Sequence, residues 1–170
     1  MSENNPQPHW LRRLVFGSNP KRTLIRAAVL GALTVLAFKF ALLPVRIEGG
    51  SMRPTYSDRS INFVNLLAFV THEPRRGDVV AIRFAGPHIM LLKRVVGLPG
   101  ESIGFSKGRV QVNGQALDEP YVRFPSNWER DPVHLGPDEY FVVGDNRSMP
   151  MRDHTFGVAK RERILGKVLL

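Results

Sequence analysis

Residues 78–97 read DVVAIRFAGPHIMLLKRVVG, and within them DVVAIRF (78–84) and IMLLKRVVG (89–97) are short runs rich in β-branched residues and bounded by Gly, Pro and Asp. Runs of this length with breakers at their ends read as β-strands. EYFVVGD (139–145) has the same character. RVQVNGQAL (109–117) places Asn113-Gly114 between two candidate strands, the strongest short-range hairpin signal. Beyond residue 45 no segment sustains a helical period over three turns, so residues 46–170 are expected to form a β-rich domain. YVRFPSNWERDPVHLGPDE (121–139) mixes Pro, Asn, Asp and aromatic residues and reads as a loop excursion. No internal repeat or second domain boundary is visible.

Upstream, LIRAAVLGALTVLAFKFALLPV (24–45) is apolar on all faces. As a helix it spans about 33 Å, which matches a hydrocarbon core of about 30 Å. Arg26 and Lys39 lie near its ends, where long side chains snorkel to the interface. The rival readings are a buried soluble helix and a cleavable leader, but no amphipathic stripe and no A-x-A pattern support them. Within the first 26 residues, Arg12, Arg13, Lys21, Arg22 and Arg26 face the single acid Glu3, so much of the net charge of +9 is juxtamembrane. Basic residues on one side of a span mark the cytoplasmic side. The expected organisation is a basic cytoplasmic segment (1–23), a single-pass anchor helix (24–45) and an extracytoplasmic domain (46–170) at the cell membrane. Lys and Arg beyond residue 26 are scattered among acids, which argues against a nucleic-acid partner. The chain has no cysteine, which excludes disulfides, thiolate zinc sites and a thiol nucleophile.

Two residues carry candidate chemistry. Ser51 sits in EGGSMRPTY (48–56), just after the apolar run, and Lys93 in LLKRVVGLPGE (91–101). A serine hydroxyl becomes a nucleophile only when a base takes its proton. A lysine serves at neutral pH only if burial among apolar groups disfavours its ammonium form. In a strand, Leu91 and Val95 share the face of Lys93 while Arg94 points the other way. Arg94 cannot be the base, because a guanidinium stays protonated. Gly49 and Gly50 let the backbone approach a substrate closely and expose Ser51. Of the five histidines, His9, His72, His88 and His134 fall in leading, turn or loop segments, and only His154, beside Asp153, is a candidate for Ser/His/Asp catalysis. No metal-binding spacing, P-loop or GxGxxG is present, so neither metal nor cofactor is expected.

GSMRPT (50–55), RRGDVVAIRF (75–84), LLKRVVGLPGE (91–101) and VVGDNRSM (142–149), with NGQALDEPYV (113–122), resemble in order the conserved boxes of type I signal peptidases of the Ser/Lys class. The resemblance implies a core of coiled antiparallel β-sheets behind one N-terminal transmembrane helix. It implies removal of signal peptides from exported proteins, with Ser51 as nucleophile, Lys93 as general base and an acyl-enzyme intermediate. The partners it implies are signal-peptide-bearing preproteins, membrane lipids and, transiently, the translocation machinery. By the same resemblance the Ser51 amide serves the oxyanion, and Met52 and Pro54 pack and stiffen the turn. Asp145, Asn146 and Arg147 are expected to brace the pair, and Asp78 to act as a turn and salt-bridge residue.

Two departures stand out. A Ser or Thr often lies two residues before the nucleophile, and here that place is Gly49. The final box usually continues with a serine that orients the lysine, whereas SMPMRDHTFG (148–157) puts Pro150 there. Ser148 is then the candidate to orient Lys93, with Asp153 and His154 restoring polar bracing. Two other readings stand beside this one: a non-catalytic membrane-tethered domain that binds exported peptides, and a dedicated Ser/Lys protease maturing one pilus or conjugation substrate.

Overall fold

The structure, a computed structural model, describes residues 19–85 and 89–169. Arg12 and Arg13 of the basic segment, together with His9 and His88, lie outside the described residues. The chain divides into two units, Met1–Phe40 and Ala41–Leu170.

The first unit holds helix α1, Pro20–Ala41. Pro20 occupies a first helical position, where its missing N–H costs nothing, and the Ala- and Leu-rich run that follows propagates the helix. Leu24, Ile25, Leu30, Leu33 and Phe40 are exposed, contrary to a buried core helix. Among the described residues this is one helix long and apolar enough to cross a membrane. It begins and ends about four residues before the expected 24–45 span. Leu42–Val45 belong instead to strand β1 (Leu42–Arg46). Pro44 explains the stop, since its ring excludes the preceding turn of helix and biases Leu43 to extended backbone.

In the second unit every strand pair of the two sheets is antiparallel, as expected. Its larger sheet has the order β1, β2 (Ile61–Asn65), β11 (Ile164–Val168), β3 (Val79–Ala85), β4 (Ile89–Gly97), β9 (Glu139–Val143), β10 (Gly157–Lys160). Pro44 is tolerated in β1 because that strand is an edge. The smaller sheet has the order β7 (Gln115–Ala116), β6 (Arg109–Val112), β5 (Ser102–Ser106), β8 (Arg130–His134). The β6–β7 hairpin turns at Asn113 (φ 51°) and Gly114 (φ 80°), the positive pair that a tight hairpin turn needs.

The expected loop 121–139 is in part a strand: β8 pairs with β5 through Ser102↔His134 and Ile103↔Val133. Pro132 hid it from the sequence, yet β8 is an edge, where proline's missing donor is harmless. Gly104 permits the close approach, since a Cβ there would come within 2.9 Å of the Arg130 carbonyl.

Strand β4 is the organising element. Val80 and Ile82 on β3, Val95 on β4 and Val142 on β9 pack with Phe69, Tyr140 and Ile164. Val79 and Ala81 pack with Val45, Ile47, Met52 and Tyr56 in a second cluster. A third, built on Val96, Phe105, Trp128 and Phe141, includes side chains from both sheets. Each fully buried aliphatic or aromatic side chain contributes about 1.5–3 kcal/mol. β9 pairs only with the second half of β4, from Arg94 to Gly97, so Ile89–Lys93 keep a free edge among the described residues.

Candidate active site

The loop after β1 is fixed before any chemistry begins. Gly49 adopts φ 97°, a conformation that favours glycine, and its N–H donates to Asp58 Oδ1 at 2.8 Å. Met52 is 2% exposed and roots the loop in the core, whereas Pro54 is exposed and does not pack as expected. Asn146 holds the loop from the other side. Its backbone N–H donates to the Ser51 carbonyl at 2.9 Å and its side-chain amide to the Gly50 carbonyl at 3.0 Å.

Lys93 extends from the middle of β4 and is 3% exposed. Its cross-strand partner is Val80, and Leu91 and Val95 share its face as the alternation requires. Burial in these surroundings lowers its pKa from the ordinary 10.5 to about 8, against an opposing influence from Asp145. Lys93 Nζ and Ser51 Oγ are hydrogen-bonded at 2.7 Å, so residues 42 apart in sequence meet as one pair.

Asp145 does not touch that pair. It is fully buried and accepts Arg94 Nε at 2.8 Å, Arg94 Nη2 at 2.6 Å and the Thr55 hydroxyl at 2.5 Å. It therefore ties the strand carrying Lys93 to the loop carrying Ser51. The Arg94 guanidinium also lies 3.9 Å from the centre of the Tyr121 ring and donates to the Gly77 carbonyl. Arg147, 1% exposed, donates to both carboxylate oxygens of Glu119 and to the Gly144 carbonyl. Glu119 in turn accepts the Tyr121 hydroxyl at 3.0 Å. Asp78 is a turn and ion-pair residue, as expected: it accepts the Arg75 N–H and pairs with Lys167 at 2.7 Å.

The substitutes expected for the serine at position 150 behave differently. Ser148 donates to Asn146 Oδ1 at 2.7 Å and does not bond Lys93. Asp153 is exposed and faces Arg152 at 3.7 Å. Only His154 is buried, edge-on to Trp128 at 5.1 Å between ring centres, with neither ring nitrogen in a hydrogen bond among the described residues. Burial first, then the nearby Lys93 charge, lowers its pKa to about 4, so the imidazole is neutral near pH 7. A Ser/His/Asp triad is not formed, because Ser51 bonds Lys93 and Asp153 makes no bond to His154. Thr55, Arg94, Glu119, Tyr121 and Trp128 escaped sequence reasoning. Glu119 and Tyr121 lie within the NGQALDEPYV stretch, the one signal that pointed to them.

The fold and site thus define an antiparallel β protein in which a loop serine is hydrogen-bonded to a buried strand lysine. Residues 21–170 match the family described as signal peptidase, peptidase S26, and the chain belongs to that family. It is 34% identical over 130 residues to a probable signal peptidase I-2 of Synechocystis sp., covering 73% of this chain and 60% of that one. It is 33% identical to a signal peptidase I of Leptolyngbya laminosa over 73% of this chain and 65% of that one. With signal peptidase I S of Bacillus subtilis the identity is 32%, over 82% of this chain and 80% of that protein. The chain thus spans less than two thirds of the length of the first two relatives.

Asp145→Ala strands the buried Arg94 charge and is expected to cost about 3–5 kcal/mol, whereas Asp145→Leu with Arg94→Met recovers most of it. Denaturant unfolding of the detergent-solubilised chain measures both. The neutral His154 binds fewer protons folded than unfolded between pH 6.5 and about 4, so stability is lost as pH falls through that window, by at most about 3 kcal/mol. His154→Phe should flatten the dependence of melting temperature on pH there; an unchanged slope refutes this.

Proposed function

We propose that the chain is a membrane-anchored serine endopeptidase that removes signal peptides from exported proteins. The observation that carries this reading is the 2.7 Å contact between Ser51 Oγ and a Lys93 amine whose pKa burial lowers to about 8. At pH 7 a lysine of pKa 10.5 is neutral in about one molecule in 3,000; at pKa 8 it is neutral in about one in ten, a gain of about 300-fold. The neutral amine accepts the Ser51 proton as the oxygen attacks the scissile carbonyl carbon. The resulting ammonium then gives that proton to the leaving amine, which departs and leaves an ester on Ser51. Water, losing a proton to Lys93, attacks the ester, and the proton returns to Ser51 as the carboxylate product leaves.

The Ser51 N–H donates to no acceptor among the described residues, which suits it to the oxyanion. Gly49 supplies no second donor, since its own N–H is held by Asp58. The free edge of Ile89–Lys93 can receive the substrate as an added strand.

α1 supplies the anchor, with the Arg/Lys-rich side in the cytoplasm and residues 41–170 beyond the membrane, where translocated precursors emerge. Exposed Ile61, Phe63, Leu67 and Val70 on the second unit suit it to a lipid surface.

Ser51→Ala and Lys93→Ala should each abolish cleavage of a precursor protein, read by mass spectrometry of new N-termini, with melting temperature retained. The rate at limiting substrate should rise with pH and level off above about 8, as Lys93 loses its proton. A stable protein that leaves every precursor intact, or a rate flat from pH 6 to 9, removes the proposal.

A further inference from the structure

A small cavity of about 100 Å³ opens beside the dyad, with Lys93 in its wall. Leu91 on the free-edge half of β4, Val142 on β9 and Phe156 and Val158 around the start of β10 supply its apolar lining. Its volume equals that of about three water molecules, room for one short side chain. Arg83 and Arg163 also line it, and both are exposed with no ion pair among the described residues. Among the described residues no acidic side chain lines it. The neighbouring acid, Glu162, lines a separate groove with Lys160 and Asp138. An apolar recess with an unneutralised cationic rim beside a buried amine is a concentrated positive field.

Strand geometry says which part of a substrate reaches it. Side chains alternate along β4: Leu92 lies opposite Ala81, and Lys93 lies opposite Val80 on the other face. A peptide added along the free edge of Ile89–Lys93 alternates in the same way. One set of its side chains meets the Leu92 and Ala81 face. The intervening set meets the Leu91 and Lys93 face, where the cavity lies; Arg83, paired with Met90, alternates onto the Ala81 and Leu92 face, which leaves Arg163 as the cavity's guanidinium.

Resting on the peptidase reading above, we infer that this cavity is a specificity subsite, which reads an acidic side chain, Asp or Glu, in the substrate segment flanking the cut. The recess takes the methylene stem, and Arg163 takes the carboxylate by charge-assisted hydrogen bonds. The subsite lies on the sheet face opposite Leu92 and Ala81, so an acid is favoured at alternate positions only. An arginine at the rim and not at the bottom makes the preference sensitive to salt.

Peptides spanning a cleavage site, each with one Asp placed at successive positions around the cut, are compared with the all-neutral parent on the full chain in detergent. Binding is measured by fluorescence anisotropy on Ser51→Ala, and cleavage on the unsubstituted protein. At low salt one position, or two separated by one residue, should bind about five-fold tighter with Asp than without, and the gain should vanish near 0.5 M salt. Arg163→Glu should invert the ratio, and the milder Arg163→Gln should reduce it, with melting temperatures confirming the fold. Equal binding of acidic and neutral peptides, gains at adjacent positions, or a preference that survives the charge reversal overturns the subsite. Because binding to Ser51→Ala decides this point, a failure of cleavage with every peptide counts against the peptidase reading alone.

Discussion

Removing the Lys93 amine from water is the constraint around which the rest of the unit is arranged. An ammonium exposed on a strand would be charged at neutral pH and unable to accept a proton. Here the amine lies in the middle of the larger sheet, against side chains from β3 and β4, and its 3% exposure is set by the sheet and not by a local turn. Moving β4 by one residue would exchange the environments of Lys93 and Arg94, because every side chain would change face. The register is held by the buried valines on both faces, so the packing that stabilises the fold also sets the basicity of the amine.

The charges near Lys93 follow from the same constraint. A buried carboxylate beside the amine would favour its ammonium form, and Asp145 does exert that opposing influence. The effect is limited because Asp145 is engaged elsewhere, by a two-pronged bond to Arg94 and by the Thr55 hydroxyl. Arg94 sits on the opposite face of the strand, so this pairing needs no departure from ordinary strand geometry. Neighbouring residues on one strand thus have opposite electrostatic tasks. Among the described residues Lys93 has no counterion, and Arg94 provides one for the carboxylate that would otherwise oppose deprotonation.

How much of this was legible follows from the range of each signal. Strands β3, β4, β6 and β9 were visible because β-branched runs between breakers are local features, and the β6–β7 turn because Asn-Gly has a steric meaning of its own. β8 was not, because Pro132 and its charged neighbours make an edge strand look like a loop, and its edge position is a property of the whole sheet. Ser51 and Lys93 were legible through their boxes, and Asp145 and Asn146 as braces beside them. The partners that brace them were not. Arg94 was read only as a failed base, and Thr55 not at all, since a bond across 90 residues leaves no trace in local spacing.

Pro150, where the resemblance implies an orienting serine, also takes on a physical meaning. Among the described residues Lys93 makes one hydrogen bond, to Ser51, so no separate acceptor directs the amine. A lysine side chain carries about 2 kcal/mol of rotamer entropy, and something must restrict it for the pair to stay together. The stem is confined by the apolar face of β3 and β4, and the head has one polar partner within that enclosure, the serine itself. Such an arrangement exchanges directional control for steric control. It also avoids a second acceptor that would favour the ammonium form, and in that respect a proline at this position works with the lowered basicity of the buried amine.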